Sequence, residues 1–167
     1  CAGLKDDIDV TIKGHTGYYC AGMNQKAKVT VHGNVGTGVA ENMMSGKIIV
    51  KGNASQSAGA TGHGGALIIE GDASSRCGIS MKGIDIIVKG SVGHMSAFMA
   101  QKGNLVIMGD ADADLGDSIY EAMNSSLRVC CFDPCRPCKI FVVGTTKIGA
   151  NHVICSIKAQ RSTNFPL

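Results

Sequence analysis

Residues 47–71 read KIIVKGNASQSAGATGHGGALIIEG, with an apolar triplet, a charged residue and a glycine at each end. Small and polar residues fill the space between. The closing glycines are Gly52 and Gly71, and 71−52=19. The same signature recurs in both directions. VTIKG ends at Gly14, VTVHG at Gly33, IIVKG at Gly90 and LVIMG at Gly109, and every step between neighbours is again 19. Such a fixed period is the mark of a repeat architecture.

Other positions keep the same phase. Four residues before each glycine stand Val10, Val29, Ile48, Leu67, Ile86 and Leu105; two before stand Ile12, Val31, Val50, Ile69, Val88 and Ile107. Both columns are apolar and two residues apart, so they share one face of a strand. The column between them, Thr11, Thr30, Ile49, Ile68, Ile87 and Val106, faces the other way. Its later members form an apolar outer stripe that predicts a packing partner. Seven residues after each glycine stand Ala21, Ala40, Gly59, Gly78, Ala97 and Gly116, all small, as a tight corner demands.

The period selects the fold. A strand–helix–strand unit needs about 30 residues, and a propeller blade about 40. Parallel strands need a connection of roughly a dozen residues, which is what remains after a strand of about five. The chain must circle once and return beside itself, about 4.8 Å along the axis. The expected fold is all-β, a right-handed parallel β-helix with a 19-residue coil. The glycine closing each strand is expected where φ is positive or the backbones approach closely.

After Gly109 the phase breaks. Position 109+19=128 is Arg128, and the signature returns as KIFVVG ending at Gly144, an offset of 144−128=16. Removing Met123–Cys138 (MNSSLRVCCFDPCRPC) restores the phase. The expected organisation is one β-helix domain over 1–155, a cysteine-rich inserted loop at 123–138 and a polar tail at 156–167.

Bulk composition narrows the function. Of 167 residues 23 are glycine, without the collagen period, and regular Val/Ile runs argue against disorder. Net charge is +3 with both signs mixed and aromatics make up 4%, so no basic stripe for nucleic acid is expected. No apolar run reaches membrane-spanning length and no signal peptide opens the chain. Eight cysteines without that signal read as reduced and cytoplasmic, and Cys1 at the first position reads as the start of a fragment or processed chain.

Candidate chemistry is sparse. Cys135 and Cys138 with Cys130 or Cys131 offer three or four thiolates, but zinc sites favour two separated pairs. Cys1 as an amidotransferase nucleophile would need a glutamine-binding domain that is missing. His15, His32, His63 and His94 occupy different places in their coils, and TGHGG lacks the Lys-Ser/Thr of a phosphate loop. Met43, Met44, Met81, Met95 and Met99 read as core or interface packing. Asp110, Asp112, Asp114 and Asp117 with Glu121 resemble a calcium loop, but Leu115 stands where glycine is required. No catalytic, cofactor-binding or metal-binding residue is therefore assigned. An independent ligand-binding or enzymatic role would fall to His94, Asp117 and Glu121.

GYYCAGMNQ (17–25), GVAENMMSGKIIVKGNASQSAGATGHGG (38–65), RCGISMKG (76–83), GSVGHMSAFMAQ (90–101) and LGDSIYEA (115–122) resemble the GXGXG-domain family. That family includes the C-terminal β-helix of the glutamate synthase large subunit and the β-helical subunit of formylmethanofuran dehydrogenase. The segments are most similar to stand-alone glutamate-synthase-like subunits of the methylamine–glutamate N-methyltransferase (N-methylglutamate synthase) type, over about 8–122 and 139–155. The resemblance implies a non-catalytic subunit of a complex that converts methylamine and glutamate to N-methylglutamate and ammonia. It implies an amidotransferase-like partner and an FMN-binding glutamate synthase-like partner, FMN and an iron–sulfur cluster being expected there and no cofactor on this chain. A subunit of an ordinary glutamate synthase, or a protein like the β-helical formylmethanofuran dehydrogenase subunit, is the alternative.

Overall fold

The structure, a computed structural model, describes residues 1–119 and, as backbone, residues 127–131 and 140–141. Its strands are β1 (Asp9–Ile12), β2 (Lys28–Val31), β3 (Lys47–Val50), β4 (Ala66–Ile69), β5 (Lys82–Val88), β6 (Lys102–Ile107), β7 (Leu127–Cys131) and β8 (Ile140–Phe141). They form one sheet in sequence order. From β1 to β6 every neighbour is parallel, and the described residues wind about five turns of a coil of about 19 residues. The chain is a parallel β-helix.

Register follows the repeat. Val10 pairs with Val29, Val29 with Ile48, Ile48 with Leu67 and Leu67 with Ile86, each one period on. A one-residue slip lies between Lys82 and Asp85, where β5 and β6 begin earlier than the other strands. The two apolar columns point inward, and in β2–β6 all ten of their members are wholly buried. At roughly 1.5–3 kcal/mol per buried aliphatic side chain, this stack is the main favourable term of the fold.

The rest of each coil makes two further sides. Two residues past the corner glycine, Thr16, Val35, Ala54, Ala73, Val92 and Ala111 form a second column of parallel bridges. The third side is a left-handed arc. At five, seven and nine residues past the glycine the backbone has positive φ in every coil; in the second these are Gly38 (77°), Ala40 (59°) and Asn42 (52°). Residues as large as Tyr19, Arg76 and Met95 take this conformation, at a cost on the order of 1 kcal/mol each. Amides along the arc are satisfied between coils: Gly38 donates to Gln56 O at 3.0 Å and Ala40 to Cys20 O at 2.9 Å. The small column therefore has two causes, since Ala21, Ala40 and Ala97 are wholly buried as well as left-handed.

The corner glycines resolve toward close approach. Gly14 has φ +117°, whereas the glycines at 33, 52, 71, 90 and 109 do not have positive φ. A Cβ on Gly71 would strike Asn53 Oδ1 and lie 2.9 Å from Gly52 O; one on Gly90 would strike Asp72 Oδ1. Both oxygens belong to a ladder of side chains one residue past the glycine.

Beyond β6 the chain departs from the expected loop. Leu127–Cys131, inside the stretch 123–138, is a strand, parallel to β6 with Leu105 opposite Val129. Here 129−105=24, more than one period. Ile140–Phe141, expected to resume the parallel coil, pairs antiparallel with β7. The run LRVCC is rich in residues that favour extended backbone, and pairing to an open sheet edge prevails over the strict period. The expectations for Cys135, Cys138, Gly144, the remainder of 123–138 and the tail 156–167 lie outside the described residues.

Candidate functional site

The outer face of the β-helix is built by the alternation that buries the core. Each strand that turns two residues inward turns the residue between them outward, with one more on either side. The central outer column is Thr11, Thr30, Ile49, Ile68, Ile87 and Val106; from Thr30 onward its members are half-buried. Along one border Lys51 donates to Glu70 at 2.7 Å, and Lys89 lies 3.4 Å from the same carboxylate oxygen. The hydrogen bond from Lys51, then the nearby charge of Lys51 and Lys89, holds the Glu70 carboxyl below its ordinary range despite some opposing desolvation. Along the other border Lys28 lies 3.7 Å from Asp9, and Asn104 donates to Asp85 at 2.6 Å. Over β3–β6 the face is an apolar strip with Lys51, Glu70 and Lys89 along one border and Asp85 and Asn104 on the other.

Of the candidate trio His94, Asp117 and Glu121, the two that lie among the described residues make separate contacts. The Nδ1 of His94 lies 3.3 Å from Asp114 Oδ2, with both side chains about half exposed. Asp117 instead accepts from its neighbour Ser118 at 3.4 Å, and Glu121 lies outside the described residues. Of the other acidic residues in this turn, Asp112 Oδ1 accepts the Ala113 N–H at 2.8 Å. Among the described residues no three His, Cys, Asp or Glu side chains converge as metal ligands. Met43 and Met81 are wholly buried core residues, whereas Met44 is exposed. His32 and His63 are exposed and widely separated in the repeat.

His15 has a structural task that sequence reasoning missed. Its Nδ1 accepts the Asn34 N–H at 2.9 Å, and Asn34 Oδ1 accepts the Asn53 N–H at 2.9 Å. Asn53 Oδ1 accepts from Asp72, Asp72 Oδ1 from Ser91, and Ser91 Oγ from Asp110. One acceptor per coil thus holds the next corner. The signal is present as Asn, Asn, Asp and Ser directly after Gly33, Gly52, Gly71 and Gly90.

Among the described residues the free cysteines are Cys1, which is exposed, and Cys20 and Cys77, which are buried. Burial pushes the Cys77 thiol up to about 12, so it is a core side chain and not a nucleophile. Among the described residues no helix is long and apolar enough to cross a membrane. Compared with family models, curated proteins and solved structures, the chain matches none.

Proposed function

We propose that the chain is a non-catalytic β-helix subunit of a glutamate synthase-type complex in the cytoplasm. The resemblance of its coils supports the methylamine–glutamate N-methyltransferase type in particular. In this reading the complex joins methylamine and glutamate to give N-methylglutamate and releases ammonia. The amidotransferase-like and FMN-binding partners carry the chemistry, and this chain supplies a rigid plank. The observation that carries the reading is the outer strip of Ile49, Ile68, Ile87 and Val106. It is apolar and bordered by polar and charged side chains, which suits a face with an apolar centre and a polar rim.

Pull-down of the chain from its native lysate tests it, with flavin absorbance and methylamine-dependent N-methylglutamate formation read on the eluate. Flavin and activity are expected together. Ile68→Lys is expected to lose both while melting as the parent does. A bare, inactive eluate would sink the proposal. A different co-purifying enzyme would favour the ordinary glutamate synthase or formylmethanofuran alternative. The contact of His94 with Asp114 gives the independent-enzyme reading its one foothold; substituting His94, Asp117 and Glu121 together without loss of the eluate's activity would remove it.

A further inference from the structure

We propose that the protein covering the outer strip presents an acidic surface to it, aliphatic at the centre and carrying carboxylates around the rim. This partner chemistry rests on the reading of the strip as a docking face.

The fold sorts charge that the sequence mixes. The chain carries +3, with both signs spread along it. Strands β1–β6, with the residue that follows each, hold seven lysines against three carboxylates, those of Asp9, Glu70 and Asp85. The remainder of residues 1–119 reverses this, with eight carboxylates against Lys5, Lys26 and Arg76. The sheet side thus has an excess of four positive side chains, 7−3, and the other sides an excess of five negative ones, 8−3.

Like charges also stand side by side at this face. Lys28 and Lys47 are register partners on β2 and β3, and Lys82 and Lys102 on β5 and β6. All four residues are exposed. Neighbouring strands lie about 4.8 Å apart, so each pair repels across the ladder. The second pair is made by the backbone slip. A strict 19-residue period would set Lys82 opposite Gln101, whereas the irregularity before Asp85 sets it opposite Lys102. Such irregularities re-aim side chains. By alternation Lys102 shares the outer side of β6 with Asn104 and Val106. Among the described residues Lys47, Lys82 and Lys102 have no carboxylate at ion-pair distance, and Lys51 and Lys89 share the one of Glu70. Both borders of the aliphatic strip therefore carry positive charge in excess.

The chemistry of the face selects a protein. Ile49, Ile68, Ile87 and Val106 offer an apolar centre for close packing, and the lysines a rim that fits carboxylates. No Phe, Tyr or Trp lies in β1–β6 or directly after them. A single-stranded nucleic acid would need aromatic platforms for its bases, and a membrane surface would favour aromatic anchors.

Capture from the native lysate on the full chain tests the proposal, with flavin absorbance and methylamine-dependent N-methylglutamate formation read after washes at rising salt. Between about 0.05 M and about 0.5 M salt the parent is expected to lose roughly tenfold or more of both, because salt screens charges at a rim. Lys82→Glu combined with Lys102→Glu is expected to capture roughly tenfold less at low salt while melting as the parent does, and Lys47→Glu to lose part of it. Arg76→Glu, on the left-handed arc, is expected to capture as the parent does. Flavin and activity retained at every salt, or retained in both lysine variants, overturn the acidic partner and leave the function proposed above standing. No flavin or activity from the parent at any salt overturns that function and the acidic partner with it. An equal loss in Arg76→Glu overturns the assignment to this face. So does an eluate that holds nucleic acid or lipid in place of protein.

Discussion

Asn53 shows how a single side chain works in this repeat. Its Oδ1 receives the Asp72 N–H at 2.9 Å and lies where a Cβ on Gly71 would have to go. Asn53→Ala is expected to cost about 1 kcal/mol, the net worth of one hydrogen bond, while Asn53→Asp keeps the acceptor and stays close to the parent in urea denaturation. Ala97 carries two constraints at once, complete burial and φ of 57°. Ala97→Leu is expected to cost about 1–3 kcal/mol through overpacking; an unchanged melting temperature would refute the corner assignment. Ala97→Gly exchanges a buried methyl for an easier backbone and is expected to be near neutral. Cys77 sets an alkaline limit. Burial raises its folded-state thiol to about 12, above the ordinary value of ~8.5. The neutral form is thus favoured in the folded state, and its contribution is intact below ~8.5. Stability is then lost as pH rises toward 12, because the unfolded chain releases its proton first. Urea midpoints between pH 8 and 10.5 are expected to fall less in Cys77→Ala than in the parent.

At the scale of a strand, alternation divides neighbouring residues into different roles. Leu67 is wholly buried and Ile68 half-buried on the outer face. Leu67→Ala is expected to cost about 2–5 kcal/mol, and Ile68→Thr less than about 1, in chemical denaturation of the isolated chain. Equal costs would mean that the two faces are not as assigned. The strands β1–β6 were legible because an apolar alternation repeated at fixed spacing leaves few other folds. The strand β7 was not. Leu127–Cys131 lacks the closing glycine, and its offset from β6 exceeds one period. A period records where the chain usually returns, whereas an open sheet edge accepts any extended segment that reaches it. The left-handed arc was legible only in part. The column containing Ala97 announced itself by size, but Tyr19, Arg76 and Met95 also hold positive φ and have no common size or chemistry. Their conformation is imposed by the coil closing on itself, against local preference.

For the whole molecule, stability runs along one axis. Each coil touches its neighbours only, so interior coils are held on both sides and the ends on one. Amides of β3 and β4 are expected to exchange with solvent most slowly, and those of β1 faster. Uniform protection across the sheet would contradict a solenoid stacked from independent coils. The candidate sites separate in the same way. His94, Asp117 and Glu121 stand together as candidates in the sequence, but the fold places His94 against Asp114 on an exposed arc. The outer stripe was visible as a column, while its charged borders emerged only when Lys51, Glu70 and Lys89 were brought from three successive coils onto one face. By itself the sequence determined the coil length, the inward columns and the parallel register, because one short fixed period with two apolar positions has one compact way to bury them. Only the tertiary structure decided how the corners are closed and which charges meet. Those depend on contacts between residues one coil apart, and sequence order does not supply their distances.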